Sequence, residues 1–301
     1  MNRRKQIRQP RATSGAPLKK GKFPADSRPR KEAPKVDPTP SPDPRPVAVS
    51  ERAPRRGDRS AGGPSGGHWI YGTHAAKEAL LNPERHAKRV LAVKESESGK
   101  GLKDSPLPVE WVDRNRLDQI LGHQAVHQGI AVLVDALPEP DFDAVCEPVA
   151  GQKNVVLLLD RITDPHNVGA ILRSAAAFGA RAVIMTDRHS PEATATLAKA
   201  ASGALEKVPL LRVTNLARAL DDMADLGYWR IGLDGKAEMT LDQATHDINN
   251  VALVLGAEGE GMRRLTTDKC DRMARLPIRS AVESLNVSNA AAVALYAVSS
   301  K

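Results

Sequence analysis

Three short segments of this 301-residue chain hold the side chains best suited to chemistry: NVGAILR at 167–173, GAEGEGM at 256–262 and SLNVSNAAAVALYAV at 284–298. The first contributes Asn167 and Arg173. A guanidinium is a forked, permanently charged donor that suits a phosphate, and equally an ordinary surface ion pair. The second has Gly256, Gly259 and Gly261, at which backbone can come close to a ligand, and Glu258, either a solvated carboxylate or a site group. Its spacing is GxxGxG, not GxGxxG, and it follows the fifth apolar run of its half of the chain, not the first, so a dinucleotide turn is a poor match. The third sets Ser284 and Asn286 ahead of an Ala-rich helix, where short polar residues are good N-caps; capping and a site role are compatible. Ordinary bases are scarce: no His lies in the last two segments, and His166, the one near the first, reads as a loop residue.

Elements must bring these segments together. From Asn154 onward, continuous apolar runs at 155–159, 182–185, 208–211, 229–233, 251–255 and 275–278 alternate with helix-length stretches such as 191–205 and 215–226. That pattern predicts a parallel sheet covered on both faces, with ligands at the C-terminal ends of its strands, where all three segments fall. Asp164 as N-cap, Pro165 at the first helical position and Gly179 as the stop delimit a helix carrying the first segment. Six residues at about 100° each leave Asn167 and Arg173 some ~120° apart on it, so both can border a pocket without touching. Alanines 290, 291, 292, 294 and 297 allow the last helix to pack closely against neighbouring backbone.

The order and content of the three segments resemble the SpoU/TrmH branch of the SPOUT RNA methyltransferases, over roughly residues 68–300. The resemblance implies an α/β fold whose parallel sheet ends in a deep trefoil knot, with S-adenosylmethionine held there by loop backbone around Gly256, Gly259, Gly261, Ile278 and Leu285. It implies that Arg173 is the key catalytic residue, supported by Asn167, Glu258, Ser284 and Asn286, and that a methyl group passes in-line to a ribose 2′-oxygen. Because a guanidinium resists deprotonation, Arg173 is expected to hold phosphate and the developing oxyanion while the nucleotide's own phosphate or water takes the proton. No metal is implied. The family usually works as a homodimer, so one copy's N-terminal domain could present RNA to the other's site.

Upstream, short helical and strand-like segments at 75–81, 89–94, 109–112, 116–121 and 130–137 predict a small α/β domain over 68–137, followed by a linker at 138–152 with Pro138, Pro140 and Pro148 and the main domain at 153–301. IYGTHAAKEAL at 70–80 and HQGIAV at 127–132 resemble the ribosomal-protein-like RNA-binding module of family members that modify large-subunit ribosomal RNA. Gly72, His74, His127 and Gln128 are then RNA-binding candidates, although HQG can also be a plain turn before a strand. The expected substrate is a guanosine of 23S ribosomal RNA; a transfer RNA, an antibiotic-resistance methylation or a non-catalytic ribosome-assembly role are the alternatives. With three each of Trp, Tyr and Phe, stacking platforms for bases are few.

Charge divides the chain sharply. Residues 1–67 hold 17 Lys/Arg against 6 Asp/Glu and 12 of the 22 prolines, while the remainder carries a net −3 of the total +8. Such a basic, Pro-rich tail cannot bury enough surface to offset its chain entropy and is read as disordered. It can neutralise phosphates without reading sequence, or be a solvated extension. It lacks a 7–15-residue apolar core for a signal peptide, and no run approaches the ~20 apolar residues of a membrane span. Asp26, Glu32, Asp37 and Asp43 interrupt it as a transit peptide, so a soluble, cytoplasmic protein is expected. Cys146 and Cys270 have no metal or redox spacing and read as apolar filler.

Overall fold

The run NVVLLLD is buried at every position of the strand it forms, Asn154–Asp160, as a strand covered on both faces must be. The computed structural model describes residues 67–102, 105–188, 190, 195–279 and 284–300; the basic tail lies outside them. The described residues fall in one compact unit, Arg59–Lys301.

The described residues begin with β1 (His68–Tyr71), α1 (Thr73–Leu81), β2 (Ala87–Ala92), α2 (Glu97–Lys100), β3 (Val109–Trp111), α3 (Arg114–Leu121) and β4 (Ile130–Val134). Its sheet has the order β1-β4-β2-β3, with β4 antiparallel to both neighbours. A short helix, α4 (Phe142–Cys146), lies within the stretch read as a linker and buries Cys146. There follow β5 (Asn154–Asp160), α5 (Pro165–Ala177), β6 (Ala182–Thr186), α6 (Ala195–Ala201), a 3-10 turn (Ala204–Glu206), β7 (Leu210–Val213), α7 (Leu216–Asp225) and β8 (Trp229–Leu233). Then come β9 (Met239–Thr240), α8 (Leu241–Ala244), β10 (Asn250–Gly256), α9 (Arg264–Asp268), β11 (Arg272–Arg275) and α10 (Val287–Ser299).

The second sheet is parallel throughout, in the order β7-β6-β5-β10-β8-β11-β9. β10 enters between β5 and β8, and its register runs from Asn250 opposite Asn154 to Gly256 opposite Asp160. The expected parallel sheet is therefore present, with local corrections. The strand expected at 275–278 is Arg272–Arg275, because Pro277 has no N–H for a ladder; Ile278 lies in the loop beyond it. The strand expected at 208–211 starts after Pro209 and runs to Val213. The helix expected over 191–205 is broken at Ser202 and Gly203, whose φ values are 49° and 87°; residues 191–194 are outside the described ones. Among the described residues no helix is long and apolar enough to cross a membrane.

Candidate functional site

All three segments leave C-terminal strand ends, and two of them meet the third through one carboxylate. α5 starts as its sequence dictates: Asp164 accepts from the His166 N–H at 2.9 Å and Pro165 occupies the first turn. Asn167 is thereby fixed in that turn. Glu258 Oε1 accepts from Asn286 Nδ2 at 2.7 Å, from the Val287 N–H at 3.1 Å and from Asn167 Nδ2 at 3.4 Å. Asn286 Nδ2 also donates to Asn167 Oδ1 at 3.1 Å. The other face of Asn286 caps α10, its Oδ1 accepting from the Ser288 N–H at 2.9 Å and Ser288 Oγ at 2.6 Å. A carboxylate at a helix N-terminus receives otherwise unpaired N–H groups and a favourable dipole.

The glycine loop between β10 and α9 is closed on itself: the Gly261 N–H donates to Ala257 O at 2.8 Å and the Ala257 N–H to Gly261 O at 3.1 Å. A Cβ on Gly256 would stand 2.2 Å from the Gly261 carbonyl carbon, so the turn requires glycine there. Gly259 and Gly261, at φ 80° and 70°, face open space where a side chain would project. Each of the two glycines thus leaves open space beside its backbone. Ile278 is 39% exposed and Leu285 is half-buried, so both can offer apolar contact.

Sequence reasoning missed what holds this loop in place. Asp160, the last residue of β5 and fully buried, accepts from the Arg263 N–H at 2.9 Å and from Arg263 Nε at 2.7 Å. Next to it Arg161, held at φ 60°, donates to Glu260 Oε2 at 3.1 Å. A carboxylate ending an apolar run is the signal: a buried charge demands a partner.

Arg173 is not part of the Glu258 cluster. Six residues beyond Asn167, about 9 Å along the helix axis, it is exposed and, among the described residues, has no hydrogen-bond partner. It borders a cleft of about 640 Å³ with His74, Ser174, Ser202, Gly203 and Lys207. Ser284 is exposed and leaves the capping of α10 to Asn286. His166, expected in a loop, lies in the first turn of α5, exposed and with Nδ1 3.2 Å from Asp164 Oδ1.

The four RNA-binding candidates separate by burial. His74 and Gln128 are exposed, and Gln128 Oε1 accepts from the Thr73 N–H at 2.9 Å. Gly72 is buried as the N-cap of α1. His127 is 1% exposed: its Nδ1 accepts from the Gly129 N–H at 3.1 Å, so Nε2 carries the proton and donates to Asp118 Oδ1 at 3.1 Å. Gly72 and His127 thus organise turns, in keeping with the plain-turn alternative for HQG, and His74 and Gln128 are the exposed members of the set. Among the described residues no group of three or more His, Cys, Asp or Glu is placed to hold a metal ion.

Known proteins share this architecture. Residues 154–296 match the SpoU rRNA Methylase family, and residues 69–140 match the domain described as RNA 2′-O ribose methyltransferase substrate binding. The 23S rRNA (guanosine-2′-O-)-methyltransferase RlmB of Photobacterium profundum is 40% identical over 75% of this chain and 95% of its own length. A TrmH family tRNA/rRNA methyltransferase of Staphylococcus aureus is 37% identical over 76% of this chain and 94% of its own length. Among solved structures, the SpoU methyltransferase AviRb of Streptomyces viridochromogenes superposes with a TM-score of 0.66 at 21% identity, covering 78% of this chain and 89% of that one; it has also been solved in complex with AdoMet. With identity of 40% over nearly the whole length of a relative, and with methylase and substrate-binding domains both matched, the chain belongs to the SpoU rRNA methylase family.

Proposed function

We propose that the chain transfers the methyl group of S-adenosylmethionine to the ribose 2′-hydroxyl of a guanosine in 23S ribosomal RNA. The observation that carries this reading is the convergence of Asn167, Glu258 and Asn286, from three separate segments, beside a glycine loop with accessible backbone. The names of the RlmB relatives support guanosine and 23S RNA as the substrate, and the AdoMet complex of AviRb supports the cofactor.

Loop backbone at Gly256, Gly259 and Gly261, with Ile278 and Leu285 for apolar contact, would hold the cofactor, which when bound supplies an electrophilic methyl group. Glu258 and Asn286 keep the loop and the start of α10 in register, so the two walls of that pocket move together. Arg173 orients the target nucleotide through its phosphate and stabilises negative charge developing on the 2′-oxygen. The proton leaves to the nucleotide's own phosphate or to water, since a guanidinium is not a base at this pH.

A deep trefoil knot belongs to this reading. A homodimer is part of the same reading: Val293 and Tyr296 are 47% and 61% exposed on α10, and Tyr296 stacks edge-on against Phe178 at 5.9 Å. Cytoplasmic residence and a division into 68–137, a linker at 138–152 and 153–301 also belong to it.

A ribose-methylation map of total RNA from cells with the protein, without it, and with Arg173→Ala tests the proposal. The expected result is one 23S guanosine that loses its 2′-O-methyl in both deficient strains. Loss at a transfer RNA position moves the substrate, and an unchanged map with an assembly defect in the deletion alone replaces the enzyme with an RNA-binding scaffold.

A further inference from the structure

The cleft that contains Arg173 has two walls from different parts of the chain: Arg173 and Ser174 from α5, with Ser202, Gly203 and Lys207, on one side, and His74 of α1 on the other. Which copy's N-terminal domain faces a given Arg173 decides how RNA reaches the site. The contacts between the two parts within one copy bear on that question.

A buried ion pair comes first. Arg85 and Glu206 have side chains only 2% and 3% exposed. Arg85 Nε and Nη2 donate to the two carboxylate oxygens at 3.1 and 2.6 Å, and Nη1 donates to Asp135 O at 2.9 Å. Asn82 Nδ2 completes the set, donating to Glu206 Oε2 at 2.8 Å. A desolvated pair of this kind is tolerable only while both partners stay together, because separating them strands a charge away from water. A swinging domain would have to break it at every excursion.

Packing says the same. A Cβ on Gly203 would stand 2.4 Å from Glu78 Cγ, so main chain beside the cleft lies directly on α1. Lys207 Nζ is 2.8 Å from Glu78 Oε1, and Lys199 Nζ sits 5.8 Å from the centroid of the Tyr71 ring. Ile70, Ala75, Ala76 and Ala79 share one apolar core with Leu197, Ala201 and Leu205, so no solvent layer separates the two parts. Shared apolar burial and a desolvated ion pair are features of a fixed interface, not of a transient inter-domain contact.

We propose that the chain receives RNA in cis: its own N-terminal domain, locked by Arg85 and Glu206, walls the cleft of its own Arg173, and His74 contacts the RNA backbone there. This rests on the methyltransferase reading above and adds to it the route of the substrate. At about 640 Å³ the cleft is the size of an ordinary small-molecule site and admits one nucleotide with its phosphate. Arg173 supplies the fixed cation, and Ser202 and His74 supply donors on opposite sides.

Mixed assemblies made from two differently tagged copies test this. When Arg173→Ala and His74→Ala lie in the same copy beside a wild-type copy, about half of wild-type methyl transfer is expected to remain. When each copy carries one of the two substitutions, transfer is expected to fall to the level of the uniform variants. The reverse pattern, with the split pair active and the doubly substituted pair inactive, overturns the proposal. An unchanged KM for RNA in uniform His74→Ala also overturns it. A wild-type protein with no methyl transfer would fault the functional reading, and a second measurement then still decides the docking. Spin labels at Leu81→Cys and Leu265→Cys, which replace residues 75% and 70% exposed, are introduced with Cys270→Ala. They should give one narrow distance distribution that broadens on Arg85→Ala; a broad distribution without that change overturns the locked domain.

Discussion

Arg173 is useful because it is unspent: among the described residues no carboxylate neutralises it, so its full charge is available to an incoming phosphate. A lysine at that position would keep the charge and lose the fork. Arg173→Lys is therefore expected to lower kcat by about tenfold or more, the scale of one bidentate charge-assisted contact, at every pH while cofactor affinity holds. Near-normal turnover would show that charge alone suffices there. Asp160 is the opposite case, a carboxylate fully used by Arg263. Asp160→Asn keeps the shape but replaces an acceptor with a donor facing Arg263, a loss of about 1–3 kcal/mol for a buried polar group. Calorimetry should show weakened S-adenosylmethionine binding with RNA affinity retained, and equal losses for both ligands would mean a general fold defect. The two cysteines need no function: burial pushes the Cys146 thiol up to about 12 and the Cys270 thiol up to about 11. The thiolate is the reactive form, so in the folded protein at pH 8 neither should react quickly with a thiol reagent, and both should after denaturation.

The elements show where sequence reasoning succeeds and where it stops. Continuous apolar runs identified β5, β6 and β10 because their interiors, covered on both faces, have no polar positions to confuse the period; β8 was identified as well, although it carries Arg230 and an exposed Trp229. β9, two residues long, leaves no such trace. β7 and β11 were displaced by Pro209 and Pro277, since apolar character continues through a residue that cannot join the ladder. At the site, Asn167, Glu258 and Asn286 were legible through their motifs. Asp160 and Arg263 were not, because their pairing spans 103 residues. The burial of His127 was not legible either, because its partner Asp118 belongs to a separate element, α3. The glycine loop gives the element-scale prediction. Gly256→Ala would push a methyl group to 2.2 Å from the Gly261 carbonyl carbon and 2.3 Å from the Met262 nitrogen, both main-chain atoms that cannot rotate aside. Main-chain crowding of this kind costs about 1–3 kcal/mol, and the loop can yield more readily than β10. Cofactor binding should therefore weaken by at least about tenfold while far-UV circular dichroism is unchanged; intact binding would mean that the loop accommodates the methyl group.

For the whole molecule, the division of charge and the buried ion pair bear on the same problem of meeting a long polyanion. Residues 68–301 carry a net −3, so their attraction for RNA is local, built from Arg173 at one cleft, where Lys207 is already paired with Glu78. Local attraction rewards a rigid arrangement, because each phosphate contact counts only if its partner across the cleft is already in place. The Arg85–Glu206 pair supplies that rigidity at a cost in desolvation. Removing one member strands the other, so Arg85→Met alone should destabilise the protein by about 3–5 kcal/mol in urea unfolding. Arg85→Met with Glu206→Leu removes both charges and should recover most of that loss, since an apolar pair of similar volume is often as stable as the ion pair it replaces. The two variants should then part in function. The double variant keeps the interface dry but loses the directional bonds to Asp135 and Asn82, so stability should return while KM for RNA stays raised. If the single substitution costs less than about 1 kcal/mol, the pair is solvated like a surface bridge, and the rigidity of the cleft must come from the apolar contacts alone.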